Sequence, residues 1–167
     1  MDEIVNRVAQ SKLVTFDLEE LYPEGQRITL DIKDWLYEGI ILKEKDFRKY
    51  VDEQDWSAYQ NTYVALYCST DAIIPGWAFM LVASRLNPFV KKVVVGNMED
   101  LETAIYQELL NSLDTAPFAD KPVIIKGCSN KPVPENAYIM AMSKIQQVAK
   151  SVMYGEACSS VPLFKRK

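Results

Sequence analysis

Three short apolar runs limit the folds open to this chain more than any other feature. They are Thr62-Tyr63-Val64-Ala65-Leu66-Tyr67, Val93-Val94-Val95 and Val123-Ile124-Ile125. Each is rich in β-branched or aromatic residues, none alternates with polar residues, and helix-length segments separate them. Residues 75–86 read as a helix with Pro in its first turn, apolar nearly all round through Trp77, Phe79, Met80, Leu81 and Val82. Residues 98–111 place Leu101, Ile105 and Leu109 one turn apart. Pro134 opens a further helix, with Tyr138, Ala141, Met142, Ile145 and Val148 on one stripe. Continuous apolar strands alternating with helices point to a parallel sheet buried on both faces. The expected fold is therefore a three-layer α/β domain with a mostly parallel sheet. Its strands fall near 62–67, 92–95 and 123–126, as parallel neighbours in one sheet, with helices on both faces.

Residues 1–167 are read as a single domain, a βαβαβα core over 62–167 with an elaboration over 1–60. That length suits one well-covered core and is short for two. In the elaboration, residues 2–10 read as a short helix and 44–54 as an exposed charged one. Val14, Phe16 and Leu18, and then Ile28, Leu30 and Ile32, alternate as in short strands on either side of the turn signal Tyr22-Pro23-Glu24-Gly25.

Function classes are narrowed mostly by what is missing. The chain contains no His, which removes Ser-His-Asp triads, Cys-His dyads and His-ligated zinc or iron sites. No Gly-rich phosphate loop occurs, since Gly39, Gly76 and Gly96 stand alone. Neither hydrolysis of the Ser-His or Cys-His kind nor nucleotide-triphosphatase turnover is expected, and no nucleotide cofactor. The formal net charge of −4 provides no basic face for a phosphate backbone, so nucleic acid is not an expected partner. Lys165-Arg166-Lys167, the one basic cluster, reads as a solvated tail. No apolar run is long enough to span a membrane, and the acidic, polar start does not resemble a signal peptide. The expectation is a cytoplasmic protein in a reducing compartment, where an odd count of three Cys means free thiols or thiolate ligands.

Those thiols form the one chemically pointed pattern, three Cys-Ser loops at Cys68-Ser69, Cys128-Ser129 and Cys158-Ser159. Cys68 follows the first apolar run and Cys128 the third. In open parallel sheets, ligands bind beyond the carboxyl ends of the strands. Cys158 depends on where the preceding helix ends. Unbroken from 134 to 154, that helix would be about 30 Å long, and the few residues to Cys158 return only about 13 Å. If it stops near Ala149, residues 151–154 form a fourth strand that carries Cys158 back to the same edge. The second version is preferred. The three Cys-bearing strands would then be neighbours roughly 4.8 Å apart, and their thiolates, with Asp71 as fourth ligand, would suit Zn²⁺ or an iron–sulfur cluster. Asp71 could equally cap the helix after it. Two alternatives stay open, three thiols simply packed in a core and a single reactive thiol. Trp35, Trp56 and Trp77 read as core or rim packing. Asp17-Leu18-Glu19-Glu20 reads as solvated surface.

Several stretches carry a family resemblance: Asp31-Ile32-Lys33-Asp34-Trp35, Leu42-Lys43-Glu44-Lys45-Asp46-Phe47-Arg48, Lys126-Gly127-Cys128-Ser129 with Lys131-Pro132-Val133-Pro134, and Tyr154-Gly155-Glu156-Ala157-Cys158-Ser159-Ser160-Val161-Pro162. Over its whole length the chain resembles the bacterial family known as domain of unknown function 2480. The resemblance implies no established activity. Members are often encoded near the sulfur-mobilising iron–sulfur assembly machinery, which implies an accessory role beside those proteins. The combined expectation is a metal- or iron–sulfur-binding accessory protein, non-catalytic or weakly catalytic, using Cys68, Cys128 and Cys158. Its rivals are a protein–protein adaptor with buried thiols and a thiol-based sulfur carrier. A homo-oligomer is left open.

Overall fold

The computed structural model describes residues 12–127 and 130–167. Among the described residues seven strands run in chain order: β1 (Val14–Phe16), β2 (Arg27–Asp31), β3 (Tyr63–Tyr67), β4 (Lys92–Val95), β5 (Pro122–Ile125), β6 (Ser151–Glu156) and β7 (Ser159–Lys165). The described α-helices are α1 (Glu44–Glu53), α2 (Gly76–Leu86), α3 (Met98–Asn111) and α4 (Glu135–Ile145). The α/β class and the mostly parallel pairing match expectation. The proposed helix at residues 2–10 lies outside the described residues.

The strands do not share one sheet. One sheet has the order β1-β5-β6-β7 and the other the order β2-β3-β4. The contacts divide the chain accordingly into two compact units, one of Pro23–Ile105 and one that joins the residues up to Tyr22 with Tyr106–Lys167. The single-sheet expectation needs correction, and β4 supplies the reason. It is a short edge strand whose residues are only partly buried, and Val95 is exposed. β5 takes β1 as its parallel neighbour instead, with Val14 opposite Val123 and Phe16 opposite Ile125.

In the first unit, β5 also pairs in parallel with β6, with Pro122 opposite Ser151 and Ile125 opposite Tyr154. The fourth strand expected at 151–154 is present, and α4 ends at Ile145, short of Ala149. Val123, Ile125 and Val152 on the sheet meet Ala137, Ala141 and Ile145 of α4 in one core. The two alanines let the helix approach the sheet closely. Each large aliphatic side chain removed from water there is worth about 1.5–3 kcal/mol. The Tyr106 hydroxyl, fully buried, donates to the Leu18 carbonyl at 2.8 Å.

β7 was not expected from sequence. It pairs antiparallel with β6 through the two-residue turn Ala157-Cys158, with a bulge between Val152 and Met153. Its Pro162 is tolerated because β7 is an edge strand. Part of the supposed tail belongs to this sheet. Lys165 lies within β7, and Arg166 bonds the Lys150 carbonyl and pairs with Asp120 at 2.7 Å.

The second unit has three parallel strands in sequence order, with Arg27 opposite Tyr63 and Tyr63 opposite Lys92. Its core joins Val64 and Leu66 to Phe47 and Val51 of α1 and to Ala78, Val82 and Leu86 of α2. Met80 of α2 is exposed, so that helix is buried on fewer sides than its composition suggested. The three tryptophans pack as expected: Trp35 stacks edge-on against Phe47 and Trp56, and Trp77 against Phe47. Among the described residues no helix is long and apolar enough to cross a membrane.

Candidate functional site

Parallel strands present their carboxyl ends, and the loops after them, on one edge of a sheet. In the first unit that edge carries Asp17 after β1, Lys126 and Gly127 after β5, and Glu156 at the end of β6. β1 and β6 flank β5 on opposite sides, and the chain leaving β5 returns as β6. The gap between the carboxyl ends of β1 and β5 is thus the type of position where open α/β sheets bind ligands.

Asp17 caps the 3₁₀ turn Leu18–Leu21, accepting the Glu19 N–H at 2.9 Å, and its second oxygen takes the Lys126 ammonium at 3.3 Å. Lys126 continues the ladder by donating its backbone N–H to the Phe16 carbonyl. The Asp17 hydrogen bond and charge raise the Lys126 pKa above its ordinary value. Desolvation opposes this, and the Glu156 and Glu19 charges add smaller raising contributions. Lys126 is therefore held as a cation, which makes it an unsuitable proton acceptor or nucleophile near neutral pH. The Asp17 side chain is only 15% exposed. Reading the whole 17–20 stretch as solvated surface missed this, although a carboxylate directly after a parallel strand was the available signal.

The ends of β5 and β6 also touch. The Tyr154 hydroxyl donates to the Gly127 carbonyl at 3.3 Å, and a Cβ at residue 127 would lie 2.8 Å from Tyr154 Cζ. Glycine at 127 is what lets the tyrosine ring lie against this backbone. Beyond the Cys128-Ser129 pair, the Asn130 N–H donates to Glu19 Oε2 at 3.1 Å. Cys128 itself lies outside the described residues. Cys158 sits in the β6–β7 turn and is exposed.

Cys68 and Asp71 are placed differently from expectation. Cys68 follows β3, which belongs to the sheet of the second unit, so no strand adjacency links it to β5 or β6. It is half-buried, with its sulfur 3.3 Å from the Thr70 hydroxyl. Asp71 is exposed, and the N-cap of α2 is Pro75, which receives no side-chain cap. Among the described residues no group of three or more Cys, Asp or Glu is placed to hold a metal ion. The four-ligand set of Cys68, Cys128, Cys158 and Asp71 thus loses the single-sheet geometry on which it rested.

The carboxyl edge of the second sheet has its own polar contact. Asp31, at the end of β2, accepts the N–H groups of Lys33 at 3.0 Å and Ser69 at 3.1 Å. Burial raises its pKa, but the hydrogen bonds from Ser69 and Lys33 and the Lys33 charge outweigh it, leaving the carboxyl below its ordinary range. This carboxylate fastens the loops that follow β2 and β3 to each other.

A family model described as protein of unknown function (DUF2480) matches residues 2–166. No curated protein and no solved structure matches the chain.

Proposed function

From the premise that the chain belongs to the DUF2480 family, we propose that it is a non-catalytic accessory protein of iron–sulfur assembly in the cytoplasm. It binds a thiophilic metal ion, zinc or iron, or a nascent cluster, at the carboxyl edge of β5 and β6. The observation that carries this reading is the contact between Tyr154 and Gly127, which closes the ends of the two parallel strands on each other. A cysteine follows each of those ends in sequence, at Cys128 and Cys158. Thiolates are the preferred ligands of these soft or borderline metals. Glu156 lies between Tyr154 and Cys158 and offers a carboxylate at the same edge. Two thiols leave coordination positions for a partner's ligands, which suits handing a metal or cluster on to the assembly machinery. Cys68 takes no part, and Lys126, held as a cation, is unsuited to act as a general base or nucleophile.

The exposure of Cys158 at a hairpin turn favours a second reading, carriage of sulfur as a persulfide on that thiol. It disfavours the adaptor in which the thiols are merely buried. The deciding experiment is metal and acid-labile sulfide analysis of protein purified without oxygen, for wild type and each Cys→Ser variant. Cys128→Ser and Cys158→Ser should each remove most of the bound metal, and Cys68→Ser should leave it. Metal-free wild-type protein with a persulfide on Cys158 would replace the first reading by the second. Metal loss in Cys68→Ser equal to that of the others would refute the two-thiol site.

A further inference from the structure

The second unit contains a feature that the thiol chemistry does not use. A cavity of about 380 Å³ lies between helix α1 and the turn at residues 37–41. On α1, Asp46, Lys49, Tyr50 and Glu53 recur at helical spacing and so form one stripe. Phe47 and Val51 fall on the opposite, fully buried stripe. The helix therefore shows an acidic and aromatic face to the cavity. The turn supplies the facing wall with Tyr37 and Glu38, and Trp35 forms part of the lining.

The walls are preorganised. Trp35 is 9% exposed and is braced edge-on by Phe47 and Trp56, with ring centroids 5.9 and 6.1 Å away. The turn is closed by paired hydrogen bonds between Tyr37 and Ile41, and the Thr70 hydroxyl donates to the Gly39 carbonyl. Glu38 and Gly39 both hold positive φ, 51° and 75°, where glycine is the favoured residue.

We infer that this cavity is a docking site for a basic, apolar-flanked segment of a partner protein, whose lysine or arginine enters among the aromatic rings. Charge and exposure together favour this occupant. Three carboxylates, Glu38, Asp46 and Glu53, line the cavity against one lysine. That lysine, Lys49, reaches Glu53 only at 3.9 Å, and both side chains are more than half exposed, so the pair is weak and exchangeable. The aromatic faces suit a cation as well. Tyr37 already accepts one within the chain, the Lys43 ammonium lying 3.5 Å from its ring centroid. Tyr37 and Tyr50 of the lining are 48 and 43% exposed, and Ile40 and Ile41, in the same turn as Tyr37, are 53 and 47% exposed. Several large apolar side chains exposed together at a cavity mark an interaction surface. A small free cation would leave Ile40 and Ile41 uncovered, whereas a peptide covers them and fills the cavity with one side chain.

The test uses the full chain and two fluorescent peptides, one alternating Leu with Lys and one alternating Leu with Glu, read by anisotropy. The Lys peptide should bind, weakening as salt rises, and the Glu peptide should not. The double variant Asp46→Lys/Glu53→Lys should lower affinity for the Lys peptide by about tenfold or more. Tyr50→Ala should lower it by about fivefold through loss of the ring. All three sites are exposed, and Asp46→Asn removes charge without adding a lysine near the helix start, so circular dichroism together with that variant separates binding from folding. Equal binding of the two peptides, or unchanged affinity in the double variant, overturns the inference. Complete displacement of the peptide by tetramethylammonium also overturns it, in favour of a small-cation pocket. None of these outcomes depends on the metal content of the Cys variants.

Discussion

Replacing Glu102 by Ala should destabilise the second unit more than any surface substitution. Its carboxylate is almost wholly buried, with 3% of the side chain exposed, and it takes the Arg27 guanidinium at 2.7 Å through Nε and 3.5 Å through Nη2. Arg27 opens β2, and its side chain is only 11% exposed. The same guanidinium donates to the carbonyls of Pro23 and Gly25 at 2.8 and 2.7 Å and lies 4.7 Å from the Tyr63 ring centroid. Removing one partner of a buried pair costs about 3–5 kcal/mol, because the other charge stays in a poorly solvated place. The two carbonyls and the ring still serve Arg27 in the variant, which puts the expectation at about 3 kcal/mol. Against a total stability of about 5–15 kcal/mol, that is a large fraction. Glu102→Gln keeps the shape and an acceptor oxygen and loses only the charge, so it should cost about half as much. Arg27→Met with Glu102→Leu removes both charges and should cost less than Glu102→Ala alone. Urea unfolding followed by tryptophan fluorescence is the assay, because Trp35, Trp56 and Trp77 are the only tryptophans and all lie in Pro23–Ile105. A cost below about 1 kcal/mol for Glu102→Ala, the level of an exposed pair, would refute the reasoning. So would a double variant as unstable as the two single changes added together.

Two further outcomes follow from the first unit and the thiols. The raised Lys126 pKa means that its ion pair stabilises the fold fully below the ordinary lysine value of 10.5 and is lost as pH rises through the higher folded value; an NMR titration should show Asp17→Asn moving that pKa back down, and no movement would remove Asp17 as the cause. In brief alkylation read by mass spectrometry, exposed Cys158 should react before half-buried Cys68, and the reverse order would contradict their placements.

Much of the local structure was legible because it depends on neighbouring residues. The alternation of apolar runs and helical stripes located β3, β4, β5 and all four described helices, and the short reach of the chain from α4 to Cys158 located the end of α4 and the start of β6. β7 was hidden because Pro162 breaks the strand pattern and Val161 and Leu163 are exposed, so its pairing depends on β6 and not on burial of its own apolar residues. At the candidate site, the sequence pointed to the carboxyl ends of strands and to the Cys-Ser loops. It missed Asp17 and Tyr154, whose roles arise from contacts with Lys126 and Gly127 far along the chain. The acidic and aromatic stripe of α1 was visible only as an exposed charged helix, since nothing local sets the turn at residues 37–41 opposite it.

The sequence by itself determined the α/β class, the positions of most strands and helices, and the exclusion of His-dependent chemistry. Periodicity, composition and chain reach are sufficient for those conclusions. Only the tertiary structure decided which strands pair. Short apolar parallel strands carry nearly interchangeable faces, and the choice of β1 over β4 as the neighbour of β5 is a long-range packing outcome with no local signature. That one choice puts the strand before Cys68 in a different sheet from the strands before Cys128 and Cys158, and so removes the single-sheet geometry from which a three-thiol site was expected.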